Sequence, residues 1–111
     1  MEHKPRVQIE SPYKGDTPDK LQVNIEYAKK CLLDSLNRNE APFASHLLYT
    51  QVLDDNKAQE RKLWIEAGWT YLLNADKVAV YLDRGLSSWM IGAIQLAENN
   101  DIPVEKRYIE K

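Results

Sequence analysis

Apolar and polar residues change period several times along this chain, and the order of those changes predicts its elements. Val7 and Ile9 alternate with Gln8 and Glu10 as in a short strand, which Ser11-Pro12-Tyr13-Lys14-Gly15-Asp16 ends with turn chemistry. Thr17 is placed to cap a helix with Pro18 at its first position, and Leu21, Ile25, Ala28, Leu32 and Leu36 recur at helical spacing until about Asn37 to Asn39. Ala41-Pro42-Phe43-Ala44-Ser45 reads as a short, partly buried strand, with Pro42 at an edge or strand start. Residues 46–53 fit neither period, and Asp54-Asp55-Asn56 closes them with cap-forming side chains. A long helix is predicted from about Ala58 to Asn74, with Leu63, Ala67, Tyr71 and Trp64, Gly68, Leu72 as two adjacent apolar rows. Lys77-Val78-Ala79-Val80-Tyr81-Leu82 is apolar enough for a central strand covered on both faces. After the exit loop Asp83-Arg84-Gly85-Leu86, Ser87 can cap a third helix running to about Asn99, and residues 102–108 return as a more polar edge strand.

This order is β-α-β-α-β-α-β, with connections long enough for right-handed crossovers and hence parallel pairing. It predicts an α/β, three-layer, flavodoxin- or Rossmann-like sandwich: a single domain over residues 1–111 with a four-stranded parallel sheet ordered 2-1-3-4. The loops after strands one and three, residues 11–16 and 83–88, should then face one cleft at the switch point, where open α/β sheets bind ligands.

Composition narrows the function classes. One domain of 111 residues, 43% hydrophobic and 29% charged, is ordinary for a globular protein. A net charge of -2 with mixed signs supplies no basic stripe and argues against general nucleic-acid binding, although a helix N-terminus can still hold a small anion. Cys31 is the only cysteine, so no intramolecular disulfide or cysteine-rich zinc site can form. That pattern suits a cytoplasmic chain with a buried structural thiol. No apolar run reaches membrane-spanning length, and Met1 to Pro5 lack a signal peptide's hydrophobic region. No ligand spacing for zinc or calcium occurs, and no cofactor is expected.

Candidate polar residues cluster where the cleft is expected. Ser11 and Tyr13, with Gly15 in the same loop, can bind a ribose or phosphate, or else form a turn in which Ser11 caps the backbone. His46 can act as a base or a stacking contact, or as a satisfied structural group. Ser87, Ser88, Trp89 and Met90 open the third helix. Asp83, just past the central strand, should point into the crevice, whereas Glu66 in mid-helix reads as a surface or intersubunit residue. Asp54 and Asp55 read as helix caps.

The first loop Ser11-Pro12-Tyr13, residues 41–49 leading to Leu53-Asp54-Asp55, and Glu60-Arg61 resemble a family of small, uncharacterised phage and bacterial domains. Those domains are similar in turn to nucleoside 2-deoxyribosyltransferases, which cleave and re-form the bond between a nucleobase and deoxyribose. The resemblance covers nearly the whole chain. The transferases carry Asp-x-Gly-Thr-x-x-Glu after the strand equivalent to residues 77–82, with the Glu as nucleophile. Laid on residues 87–93, that motif puts Ala93 at the nucleophile and Trp89 at a glycine. The small domains have glycine at the positions of both Trp64 and Trp89, so the two tryptophans depart from the family, by natural divergence or by engineering.

What the resemblance implies is a non-catalytic binding domain for a nucleoside- or nucleotide-derived ligand, of use in sequestering a nucleotide immune signal. An alternative is an N-glycosidic hydrolase or deoxyribosyltransferase that recruits Asp83 or Glu66 in place of the missing carboxylate. A third reading is a homo-oligomeric assembly module. Trp64, Trp69, Tyr71 and Trp89 make more aromatic surface than one small core should absorb, which predicts a symmetric homo-oligomer, most simply a dimer.

Overall fold

A computed structural model describes residues 3–110 of the chain, so the sequence reading of Met1 to Pro5 lies partly outside the described residues. The elements are β1 (Arg6–Glu10), α1 (Pro18–Asn37), β2 (Ala41–Phe43), α2 (Ser45–Leu48) with a 3-10 turn over Tyr49–Gln51, α3 (Ala58–Leu72), β3 (Lys77–Tyr81), α4 (Ser88–Asn99) and β4 (Val104–Arg107). All three strand pairings are parallel and the sheet order is β2-β1-β3-β4, as expected from the element order.

The caps that set the helix starts are local. Thr17 Oγ1 accepts the Lys20 N–H at 3.1 Å, with Pro18 next in the chain. Ser87 Oγ accepts the Met90 N–H at 3.4 Å at the start of α4. At α3 the expected caps do not form. Its cap position is Lys57, while Asp54 Oδ1 takes the Asn56 N–H at 2.9 Å and Asp55 reaches forward to α3 side chains. Two residues make their better bonds elsewhere, so the helix starts without a side-chain cap.

Register assigns the faces. Gln8 pairs with Phe43 and Val78, so these three share the face covered by α3 and α4. There Trp64 and Leu72 pack with Val78, Val80, Trp89, Met90, Ala93 and Ala97. On the opposite face Val7, Ile9, Ala79 and Tyr81 pack against Tyr27 and Cys31 of α1. Cys31 is buried, and burial pushes its thiol up to about 12.

Three details differ from the sequence expectation. β2 stops at Phe43, because residues 45–51 wind into α2 and the 3-10 turn. On α1 the buried stripe runs through Tyr27, Ala28, Cys31 and Ser35, leaving Leu36 exposed. Of the two rows on α3 only Trp64, Gly68 and Leu72 are buried; Leu63 and Tyr71 face outward. Gly68 permits this packing, since a Cβ there would lie 2.8 Å from the Cβ of Ser45 on α2.

The expected polar edge strand forms, but Arg107 at its end is buried. Its guanidinium donates to Glu40 at 2.6 and 2.8 Å and to the Tyr81 hydroxyl at 3.0 Å, while Lys77 Nζ lies 2.8 Å from Glu40. Burial pushes the Glu40 carboxyl up, but the bonds from Arg107, Lys77 and Ser35 outweigh it and hold the group at about 2.

Candidate functional site

β1 ends at Glu10, and Ser11 follows it directly into the loop that crosses the C-terminal edge of the sheet. Ser11 Oγ and His46 Nε2 are 2.8 Å apart, and both side chains are fully buried. The hydroxyl can donate or accept in this pair, so the imidazole tautomer decides the direction. His46 Nδ1 has no hydrogen-bond partner among the described residues. Burial drives the imidazole down to about 3, which makes it a neutral group in the folded protein.

An aromatic cluster covers this pair. Tyr13 sets its ring edge-on to His46 at 6.3 Å and to Trp64 at 6.5 Å, and Trp89 lies 5.2 Å from the imidazole. Trp64 and Trp89 meet at 5.5 Å. The Trp64 indole N–H donates to Asp55 at 2.9 Å, and Arg61 holds the same carboxylate at 3.0 Å. The cleft expected between the two loops is therefore occupied by side chains of the protein. Beside it lies a shallow groove of about 310 Å³ between residues 14–16 and the start of α4, with Arg61, Ser87, Ser88 and Trp89 on its walls.

The candidate residues divide accordingly. Ser11, Tyr13, His46 and Trp89 come together, but Ser11 and His46 present no surface to a ligand. Gly15, Ser87 and Ser88 line the groove. Gly15 also has a packing reason, since a Cβ there would come within 2.7 Å of the Leu21 nitrogen. Met90 is a core residue rather than a groove residue; it packs with Trp64 and Trp89, and its sulfur lies 3.4 Å from the Ser87 nitrogen. Ala93 is buried in the same core.

Asp83 does not point into the cleft. It accepts from the Tyr27 hydroxyl at 2.6 Å and from the backbone of Ile109 and Glu110 at 3.0 and 2.9 Å. Burial works to raise its carboxyl, but those donors outweigh it and keep it below the ordinary value. Asp83 thus ties the C-terminal segment to α1. Glu66 is exposed on α3, 3.7 Å from Lys62. The aromatic surplus that predicted an oligomer is absorbed: Trp64 and Trp89 are 1% and 8% exposed, and of the four rings only Tyr71 is largely outside.

Sequence reasoning missed Glu10 and Gln8. Alternation with Val7 and Ile9 marked them as polar-face residues, yet β1 lies inside the sheet with helices on both faces, and both are buried. The predicted strand order contained that signal, because a central parallel strand has no solvent face. Burial pushes the Glu10 carboxyl up to about 8, with the neighbouring Gln8 amide opposing the shift. Glu10 is accordingly a neutral acid near pH 7. Among the described residues no cluster of three His, Cys, Asp or Glu side chains is placed to hold a metal ion, and no helix is long and apolar enough to cross a membrane.

Comparison places this geometry in a family. The model of a domain of unknown function (DUF7768) matches residues 5–107, and the chain belongs to that family. Among solved structures, a 2-deoxyribosyltransferase from the psychrotolerant bacterium Bacillus psychrosaccharolyticus is similar over 93% of this chain and 72% of that one, with a TM-score of 0.66 at 12% identity. At that identity the likeness is one of fold. No curated protein matches the sequence.

Proposed function

We propose that this domain binds a small nucleoside- or nucleotide-derived ligand at the groove beside α4 and does not turn it over. The observation that carries the reading is where the groove lies. It joins the loop after β1 to the helix after β3 across the point where strand order reverses, the usual ligand position in open α/β sheets.

Its chemistry suits the anionic end of such a ligand. The Met90 N–H is used by Ser87 Oγ and the Ile91 N–H by the Ser87 carbonyl, whereas the first N–H groups of a helix, here Ser88 and Trp89, have no acceptor within it. On the facing wall Lys14 adds a cation, and the Asp16 carboxylate beside it is paired with Lys20 at 3.2 Å. The fold shared with the 2-deoxyribosyltransferase supports a nucleoside-related ligand. Against turnover stand a buried Ala93, a fully engaged Asp83 and an outward-facing Glu66. A binder without turnover acts by holding its ligand, and sequestration of a nucleotide signal is the role we assign to it.

The test pairs binding with turnover. Calorimetry should detect nucleotides more strongly than the matching nucleosides, with Lys14→Ala removing most of the difference. Incubation with deoxynucleosides and a free acceptor base should yield no base exchange. Exchange that disappears in Asp83→Asn or Glu66→Gln, but not in a surface control, would sink the binding-only reading. Native mass spectrometry of protein purified from cells, followed by release of any bound molecule, then names the ligand.

A further inference from the structure

One outward row of α3 carries no charge. Leu63, Ala67 and Tyr71 follow one another at four-residue spacing along the helix, and Leu63 and Tyr71 are 57% and 56% exposed. The Tyr71 ring lies 4.8 Å from that of Phe43, which in turn meets Tyr49 at 6.3 Å, so the row joins a half-buried aromatic cluster at the β2 edge. Past Tyr71 the surface dips into a hollow of about 350 Å³ walled by Phe43, Asn74 and Ala75. None of these residues belongs to the groove between Gly15 and Ser88.

We propose that this row is the interface of a symmetric homodimer, in which α3 of one copy packs antiparallel on α3 of a second, with the twofold axis beside Ala67. A contact of this symmetry must be self-complementary, and a row ordered large, small, large meets that condition. The alanine at its centre lets the two helices approach. The axis then sets Leu63 of each copy against Tyr71 and Phe43 of the other, at the mouth of the hollow. The exposed apolar row is thereby covered on both copies at once.

Charge selects a second copy and the antiparallel sense. The N-terminal end of α3 carries Lys57, Arg61 and Lys62, beside the positive end of the helix dipole, while the last turn has no basic residue. Arg61 is held by Asp55 at 3.0 Å. Lys62 has only the exposed Glu66 at 3.7 Å, in the weaker order with the lysine first. An antiparallel partner brings each Lys62 over the last turn of the other α3, whose negative end lacks a cation of its own. Glu66 comes beside its symmetry mate near the axis, and the two Lys62 side chains flank that pair, so the polar border is neutral.

The experiment is sedimentation velocity on the full-length protein from micromolar to near-millimolar concentration, joined to isotope-filtered NMR on a mixture of ¹³C-labelled and unlabelled copies. A monomer–dimer equilibrium is expected, with intermolecular contacts between the Leu63 methyl groups and the Tyr71 ring. Within one copy these positions are about 12 Å apart along the helix, so such contacts report the partner alone. Ala67→Arg should weaken the dimer at least tenfold with an unchanged circular dichroism spectrum, and Lys62→Ala should weaken it less and mainly at low salt. If Ala67→Arg does not fold, Tyr71→Glu takes its place. A monomer at every concentration overturns the proposal, as does a dimer that survives the folded variant. Contacts of Leu63 with Leu63 instead of Tyr71 overturn the antiparallel pairing. A monomer whose row is covered only by a different protein overturns the assignment to a second copy.

Discussion

Trp64 and Trp89 meet edge to face, ring centroids 5.5 Å apart at 78°, above the Ser11–His46 pair. Two indoles thereby occupy the cleft expected between the loops after the first and third strands. This contact decides how much of the cleft is core and how much is site, and substitution separates the two roles.

Trp64→Gly removes a ring that is fully buried and hydrogen-bonded to Asp55, so we expect a loss of about 3–5 kcal/mol from the lost ring and about 1 kcal/mol more from glycine within a helix. Trp89 sits at the rim in the first turn of α4, and Trp89→Gly should cost less. It should also open the Ser11–His46 pair to nucleosides, read as a thermal shift that the parent lacks. Chemical denaturation orders the two variants; if Trp89→Gly is the less stable, the rim assignment is wrong.

The buried acid and the buried imidazole predict a dome in stability against pH. Glu10 has a folded value of about 8 against an ordinary 4.5, so the folded state holds its proton longer than the unfolded chain and stability falls as pH rises through that window. His46 has a folded value of about 3 against 6.5, so stability falls as pH drops through that window. Each limb has a slope of about 1.4 kcal/mol per pH unit, and the two cancel between their ordinary values. Urea midpoints should therefore be flat from pH 4.5 to 6.5 and decline on both sides. Glu10→Gln should abolish the alkaline decline and leave the acid one, to which Glu40 also contributes.

Removing one partner of the Arg107–Glu40 pair should be severe. Glu40→Ala leaves a guanidinium that is 1% exposed without its main acceptor, and a loss of about 3–5 kcal/mol is expected. Replacing Glu40 and Arg107 together by Leu and Met should cost much less than the single change. A double-mutant cycle in urea measures the coupling, and additive losses would remove the pair from the account.

Gly68→Ala should destabilise by about 1–3 kcal/mol through overpacking, even though alanine gains about 1 kcal/mol of helix propensity. The cause is the approach of α3 to Ser45, which a methyl group at position 68 would meet. Ser45→Gly in the same chain should recover part of the loss; no recovery would place the strain elsewhere.

The element order, the parallel sheet 2-1-3-4 and the Thr17 and Ser87 caps were legible in the residues themselves. The elements and caps rest on neighbours a few positions apart, through period-two alternation, 3.6-residue spacing or a side chain three residues from its amide, and the sheet order follows from connections long enough for right-handed crossovers. The groove between the first loop and α4 followed from topology alone. Which polar residues go inside was decided by tertiary structure. Alternation told Gln8 and Glu10 apart from Val7 and Ile9, but the helices packed on both faces made all four interior. Asp83 turned away because Tyr27, 56 positions earlier, and the backbone at 109–110 offered it more hydrogen bonds than an open cleft would. Arg107 and Glu40, 67 positions apart, had no local sign of each other. Trp64 and Trp89 became core when α3 and α4 brought them together, since burying two indoles against each other removes more apolar surface from water than leaving both at a cleft rim.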